Sequence, residues 1–304
     1  MRINQIGNMT HEEIFSEYRN LLFSIAYNMV GVVEDAEDLV QETFIKWSAL
    51  NIEEIKTPKA FLVKIITNLS INQLNSARRA RENYIGPWLP EPLMKEKVLD
   101  SSTSVDLYYS LSIGMMVLLE KLTSSERAVF LLKEVFSYDY TEISDIIEKA
   151  EDNCRQIFNR AKKHLGGKEK RFKVDIKVHE KLLQKFLGAV NKGNMEGLLS
   201  LLKDDIELVA DGGGKSSTFG RQKFSASRNP ITGQKNVSKF ILSITEKVNN
   251  NVPNVSNKIV YANGVPSVLT SSNDVPVCLM SLEITDDKIS NIYVQTNPDK
   301  IKNI

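Results

Sequence analysis

Hydrophobic positions recur at helix spacing from His11 to about Tyr84. Leu21, Leu22, Ile25, Ala26 and Met29 fall on one helical face, and Gly31 ends that run. Between Glu34 and Leu50, the positions Leu39, Val40, Thr43, Phe44 and Trp47 share a second face. Thr57 and Pro58 form a start signal, N-cap followed by a proline in the first turn. They predict a long helix from Lys59 through Phe61, Leu62, Ile65, Ile66, Leu69 and Leu74. The pattern stops between Asn83 and Asp106, where prolines, a glycine and a Ser/Thr cluster read as a linker. Tyr84, Trp88 and Leu89 within it predict docking on a surface.

Helical periodicity returns from Leu107 to about Leu165, and Gly166-Gly167 followed by a basic run over 168–173 closes it. From Ile176 the pattern changes. Helices are predicted over 178–193, 195–202 and 233–248, with strand-like alternation from Ile206, Asn257 and Val275. Asn263-Gly264 between two alternating runs predicts a hairpin. Helices segregated from a mostly antiparallel sheet make this block α+β. The expected fold is multidomain: an all-α bundle over 8–84, a linker over 85–106, an all-α helix-turn-helix over 107–168 and an α+β domain over 176–304.

Composition narrows the chemistry. The chain has 304 residues, enough for about two to three domains. A net charge of +1 excludes a polybasic protein, so any nucleic-acid role must come from local patterning. Cys154 and Cys278 stand far apart, and His11, His164 and His179 are scattered; no disulfide framework, metal site or cofactor is expected. The polar N-terminus and the lack of a bilayer-length apolar run predict a cytoplasmic protein.

Local charge is informative. Residues 125–165 read as a capped amphipathic helix, a short second helix, a tight turn and a third helix. The third buries Ile157, Phe158, Ala161 and Leu165 and leaves Arg155, Gln156, Asn159, Arg160 and Lys163 outward. That is the layout of a helix-turn-helix, in which Arg and Gln read base edges and Lys holds phosphate. A solvated charged helix in a plain bundle is the competing reading, and the turn Glu148-Lys149-Ala150 lacks the glycine often found there. The window 34–42 is acidic, with Asp38, Gln41 and Glu42 on the face away from Leu39 and Trp47. This is either a solvated helix start or a docking face for a basic partner. On the next helix, Lys64, Asn68, Asn72, Arg78, Arg79 and Arg81 could face DNA.

Val209–Ser216, VADGGGKS, approaches a phosphate-binding loop, but Val209 stands where the first glycine belongs and no helical periodicity follows Ser216. The glycines read instead as a strand-end loop.

The segments EDAEDLVQETFIKW, FLVKIITNLSINQL with its trailing arginines, and LTSSERAVFLLKEVFSYDYTEISDII…CRQIFNRAKKHL resemble regions two and four of extracytoplasmic-function sigma factors. The resemblance covers about the first 170 residues. It implies that Asp38, Gln41 and Glu42, with Phe44 in support, bind the β′ clamp helices of core RNA polymerase. The β flap is a further implied contact. It also implies that Asn68, with Lys64 and Asn72 nearby, captures a flipped −10 base in melted DNA, and that the third helix reads the −35 element of duplex promoter DNA. The linker and the C-terminal block are similar to the subgroup with a fused SnoaL-like domain, a cone of curved sheet closed by helices. Its two motifs correspond here to Asp211, Gly212, Gly213, Gly214 and Lys215, and to Asn297, Pro298, Asp299, Lys300 and Ile301. The resemblance implies a tail regulating the sigma core in cis.

Three readings of function stay open at this point: a sigma factor, a polymerase-independent DNA-binding regulator, and a tail that binds or isomerises an unknown small ligand with Asp211 as general base. The first is expected, with Asp211 and Lys215 pairing with charged groups on the sigma domains and no catalysis.

Overall fold

Thr10 opens the fold with a capping box: its hydroxyl accepts from Glu13 N, and the Glu13 carboxylate accepts from Thr10 N. Helix α1 (His11–Val30) runs until Gly31, at φ 75, closes it. Helix α2 (Val33–Ser48) has no side-chain cap, and Glu34 and Asp35 in its first turn complement the helix dipole instead. Helix α3 (Pro58–Arg81) begins at the expected proline, although the Thr57 side chain makes no cap hydrogen bond. Leu22, Ile25, Trp47, Leu62 and Ile66 are buried in this bundle.

The computed structural model describes residues 10–94, 111–166, 175–219, 222–302 and 304. The expected helix start at Leu107, the Ser/Thr cluster and the basic run 168–173 lie outside them. Two compact units divide the chain. One comprises Met1–Glu82, Ser104–Ser110 and Leu118–Glu169; the other comprises Asn83–Thr103, Leu111–Val117 and Lys170–Ile304.

In the first unit, a second capping box (Thr123 with Glu126) starts helix α5 (Ser124–Phe130), and the next five residues, Leu131–Val135, turn as a π-helix. The expected single helix over this stretch is therefore wound differently in its last turn. Helices α6 (Tyr140–Ile147) and α7 (Glu151–Leu165) follow, each burying one apolar face. The turn between them needs a left-handed residue, and Glu148 fills it at φ 55 where glycine is common. Gly166, at φ 64, ends α7 as expected.

In the second unit, helix α4 (Ile113–Leu119) contributes its first five residues. Helices α8 (Ile176–Asn191) and α9 (Met195–Leu201) lead into strand β1 (Leu202–Asp211). A short hairpin, β2 (Ser216–Phe219) and β3 (Gln222–Ser225), and the two-residue β4 (Ile231–Thr232) precede helix α10 (Gln234–Asn251). Strands β5 (Val255–Ala262), β6 (Val265–Ser272), β7 (Val275–Thr285) and β8 (Lys288–Gln295) complete a sheet ordered β4-β1-β8-β7-β6-β5, and helix α11 (Pro298–Ile301) follows. Among the described residues, only the β1–β8 pair is parallel. Asn263 and Gly264 take φ 51 and 72, the double left-handed turn that fits the strand twist. Helices α8, α9 and α10 cover one face of the sheet over a core that includes Phe186, Leu198, Ile206, Val237 and Ile292. Leu89 of the linker and Ile113 of α4 pack on Tyr293 and Val209 of the opposite face.

Candidate functional site

The acidic face of α2 is formed as expected. Asp38, Gln41 and Glu42 are exposed, while Ala36, Leu39, Val40, Thr43 and Trp47 are buried. Glu42 pairs with Lys46 one turn on at 3.3 Å, and Phe44 is half-buried, edge-on to Phe15 at 5.0 Å. Ile45 lies on the same exposed face at 67% exposure, an apolar group among acids that the sequence reading left out. Its place in the i, i+3, i+4, i+7 series 38, 41, 42, 45 was the available signal.

On α3 the expected DNA-facing residues divide. Asn72 is exposed. Asn68 is engaged: its Nδ2 donates to Ile146 O at the end of α6, at 3.0 Å, and to Lys64 O at 3.1 Å. Lys64 Nζ lies 2.7 Å from the carboxylate of Glu148 in the helix-turn-helix turn. That hydrogen bond and charge hold Glu148 below its ordinary carboxylate pKa. Arg78 is a correction. Its guanidinium donates to Leu122 O and Glu120 O, so it braces the turn before α5 and is not left for phosphate. Arg81 likewise donates to Val30 O at 2.7 Å and to Glu120 at 2.8 Å. The Arg79 side chain lies outside the described residues.

Glu120 is the centre of that cluster. Fully buried Arg127 pairs with it and donates from Nε to Asn28 O at 3.0 Å. Burial pushes the Glu120 carboxyl up, but the Arg127 and Arg81 guanidinia outweigh it and hold the group below its usual range. Ser124 Oγ also donates to Asn75 Oδ1 at 2.7 Å. Within this unit the bundle and the helix-turn-helix are thus joined both near Glu120 and at the Asn68–Ile146 and Lys64–Glu148 contacts.

The outward row of α7 faces solvent: Arg155, Gln156, Asn159, Arg160 and Lys163 are all exposed. Arg155 pairs with Glu151 and stacks 4.4 Å over the Tyr140 ring, which pre-orients it.

The loop Asp211–Lys215 gathers partners from across the second unit. Asp211 is fully buried, and each carboxylate oxygen accepts twice. Oδ1 takes the Tyr84 hydroxyl at 2.5 Å and Gly213 N at 2.9 Å; Oδ2 takes Leu89 N at 2.9 Å and Lys300 Nζ at 2.7 Å. Lys300 also donates to Leu89 O at 2.6 Å and lies 4.4 Å over the Trp88 ring. Asn297 Nδ2 donates to the Tyr84 oxygen at 2.9 Å. Burial, then the bond to Asp211, raises the Tyr84 pKa far above its ordinary value, so Tyr84 stays a donor. Gly213 (φ 60) and Gly214 (φ 70) take left-handed conformations, and a Cβ on them would meet Asn297 Nδ2 at 2.5 Å and Ile85 at 2.9 Å. No helix follows Lys215, which pairs with Asp299.

One expectation for this loop is corrected. Asp211 and Lys215 pair with Lys300 and Asp299 of the tail itself, and Asp211 grips the linker, because these residues arrive on the same sheet end. The Asp211 carboxylate points to the linker side of the sheet, with both oxygens engaged.

Comparison with known proteins accords with this layout. The Sigma-70 region 2 family matches residues 14–80, and the Sigma-70, region 4 family matches 114–165. The chain is a sigma-70-type factor of the extracytoplasmic-function group with a fused α+β domain, the class of protein that binds core RNA polymerase and promoter DNA. It is similar to the ECF RNA polymerase sigma factor SigJ of Mycobacterium tuberculosis, with 28% identity over 295 residues, 94% of this chain and 91% of that protein. The crystal structure of that SigJ superposes with a TM-score of 0.72 at 24% identity, covering 94% of this chain and 97% of the other. The probable sigma factor SigI of the same species is 28% identical over 187 residues, 61% of this chain and 64% of that protein. No helix among the described residues is long and apolar enough to cross a membrane.

Proposed function

We propose that the chain docks on the β′ clamp helices of core polymerase through Asp38, Gln41, Glu42 and Ile45, with a second contact to the β flap. It then directs initiation by reading −10 with Asn68, Lys64 and Asn72 and −35 with the outward row of α7. The tail regulates this in cis by holding the linker, and it does no chemistry of its own. The observation that carries the regulatory reading is the buried Asp211 carboxylate, which collects Tyr84 and Leu89 of the linker. The names −10 and −35 place the two elements about 25 base pairs apart, roughly 85 Å of duplex. Modules joined at Asn68–Ile146 and Lys64–Glu148 cannot span that distance, so promoter binding separates them. The linker gripped at Asp211 is the segment whose reach then matters.

Transcription from one promoter tests this, with full-length protein, protein ending after about residue 173, and protein lacking Asn297–Ile304. Equal activity of all three overturns regulation in cis. Asp38→Ala with Gln41→Ala should weaken association with core polymerase, and unchanged association overturns the docking face.

A further inference from the structure

A cavity of about 240 Å³ lies between the sheet and the helices of the second unit. Its floor is one cross-strand rung, Ala210, Val294, Met280 and Val268, in register on β1, β8, β7 and β6. Phe240, Ile244 and Val248 of α10 form one wall, and Phe186 and Val190 of α8 form another. Packed cores rarely hold voids larger than a water, so this space exceeds a packing defect. The exposed side chains Asn191, Asn249 and Asn257 stand at its rim.

The chemistry of the lining selects the occupant. Among the described residues, no Asp, Glu, Lys, Arg, His or Tyr lines the cavity. A buried charge without a counter-charge is strongly penalised, so an ionic ligand is disfavoured. Cys278 is the one titratable group there, and burial pushes its thiol up to about 12, so it stays neutral and unreactive at ordinary pH. A cavity of about 150 Å³ takes benzene, which sets the scale for the larger space here. We propose that this cavity binds one uncharged, largely apolar small molecule of about bicyclic aromatic size, with its polar end toward the three asparagines. Strand β1 presents Leu208 and Ala210 to the cavity, and Val209 and Asp211 to the linker. The site and the clasp therefore share strand β1, on its two opposite faces.

A matched pair of probes tests the site on the full-length chain: neutral N-phenyl-1-naphthylamine, and the same skeleton carrying a sulfonate, 8-anilinonaphthalene-1-sulfonate. Saturable one-to-one binding of the neutral probe, at least tenfold tighter than the sulfonate, is expected. Ile244→Trp and Val190→Trp, which fill the space from two different helices, should each weaken it at least tenfold. Should both variants fail to fold, amide hydrogen exchange over β6 and β7 in the natural sequence decides, with the neutral probe slowing it at least fivefold. Absent saturation, equal affinity for the two probes, folded filling variants that bind as before, or exchange over β6 and β7 that the neutral probe leaves unchanged overturns the proposal. The measurement needs neither polymerase nor DNA, so its failure leaves the sigma-factor reading untouched.

Discussion

Each unit is built around one carboxylate that collects distant donors, and the two are wired differently. Glu120 gathers the guanidinia of Arg127, Arg81 and, more loosely, Arg78, and its side chain keeps 23% exposure. Asp211 has no exposure and spends its two oxygens on a hydroxyl, two backbone N–H groups and one ammonium. Water can compete at Glu120 and cannot at Asp211. The contacts joining bundle to helix-turn-helix, including the exposed Lys64–Glu148 pair, are of the kind that opens. The tail's hold on the linker is of the kind that persists.

Removing a buried carboxylate from its cation should break that contrast most strongly. Asp211→Ala removes the buried carboxylate on which Lys300 closes, and a loss of about 3–5 kcal/mol in urea unfolding is expected. Limited proteolysis should then cut near Tyr84–Leu93; a loss under about 1 kcal/mol with an intact linker would show that the clasp is weak. Acid gives the next effect. His179 is buried with Nε2 lacking a hydrogen-bond partner, and burial lowers its pKa to about 4 from an ordinary 6.5. The unfolded chain then binds the proton more readily, so its contribution is present above pH 6.5 and is lost as pH falls toward 4, by up to roughly 3 kcal/mol. His179→Leu should flatten that part of a stability-against-pH curve. Glu120→Gln keeps a hydrogen-bonding amide beside partly hydrated arginines, so about 2 kcal/mol is expected by thermal unfolding, less than at Asp211. The smallest effect belongs to Glu148→Gly, which removes the Lys64 partner and suits the left-handed turn. Binding of single-stranded −10 DNA should rise by about twofold to fivefold, the scale of an exposed ion pair, and no rise would mean that this contact does not mask Lys64.

Local signals were legible in the sequence. Helix periodicity, the proline at the start of α3, Gly166 and Asn263-Gly264 act within a few residues, and each appears where it was read. The failures have a common cause. The partners of Asp211 come from positions 84, 89 and 300, and those of Arg78 from 120 and 122, so no window of periodicity contains them. A basic last turn reads as a phosphate contact until packing turns it inward. The π-turn at Leu131–Val135 keeps an amphipathic look in sequence, because one extra residue per turn hardly disturbs a five-residue pattern. Occlusion of Asn68 is a property of how two helical regions meet, which neither region encodes alone.

Asn263 does more than turn a hairpin. Its Oδ1 accepts from Leu93 N at 3.0 Å and its Nδ2 donates to Leu111 O at 3.1 Å. One side chain therefore anchors both ends of the stretch 94–110. The hairpin turn thus also works as a staple: one amide fixes Leu93 relative to Leu111, and Asn263→Ala would release both at once.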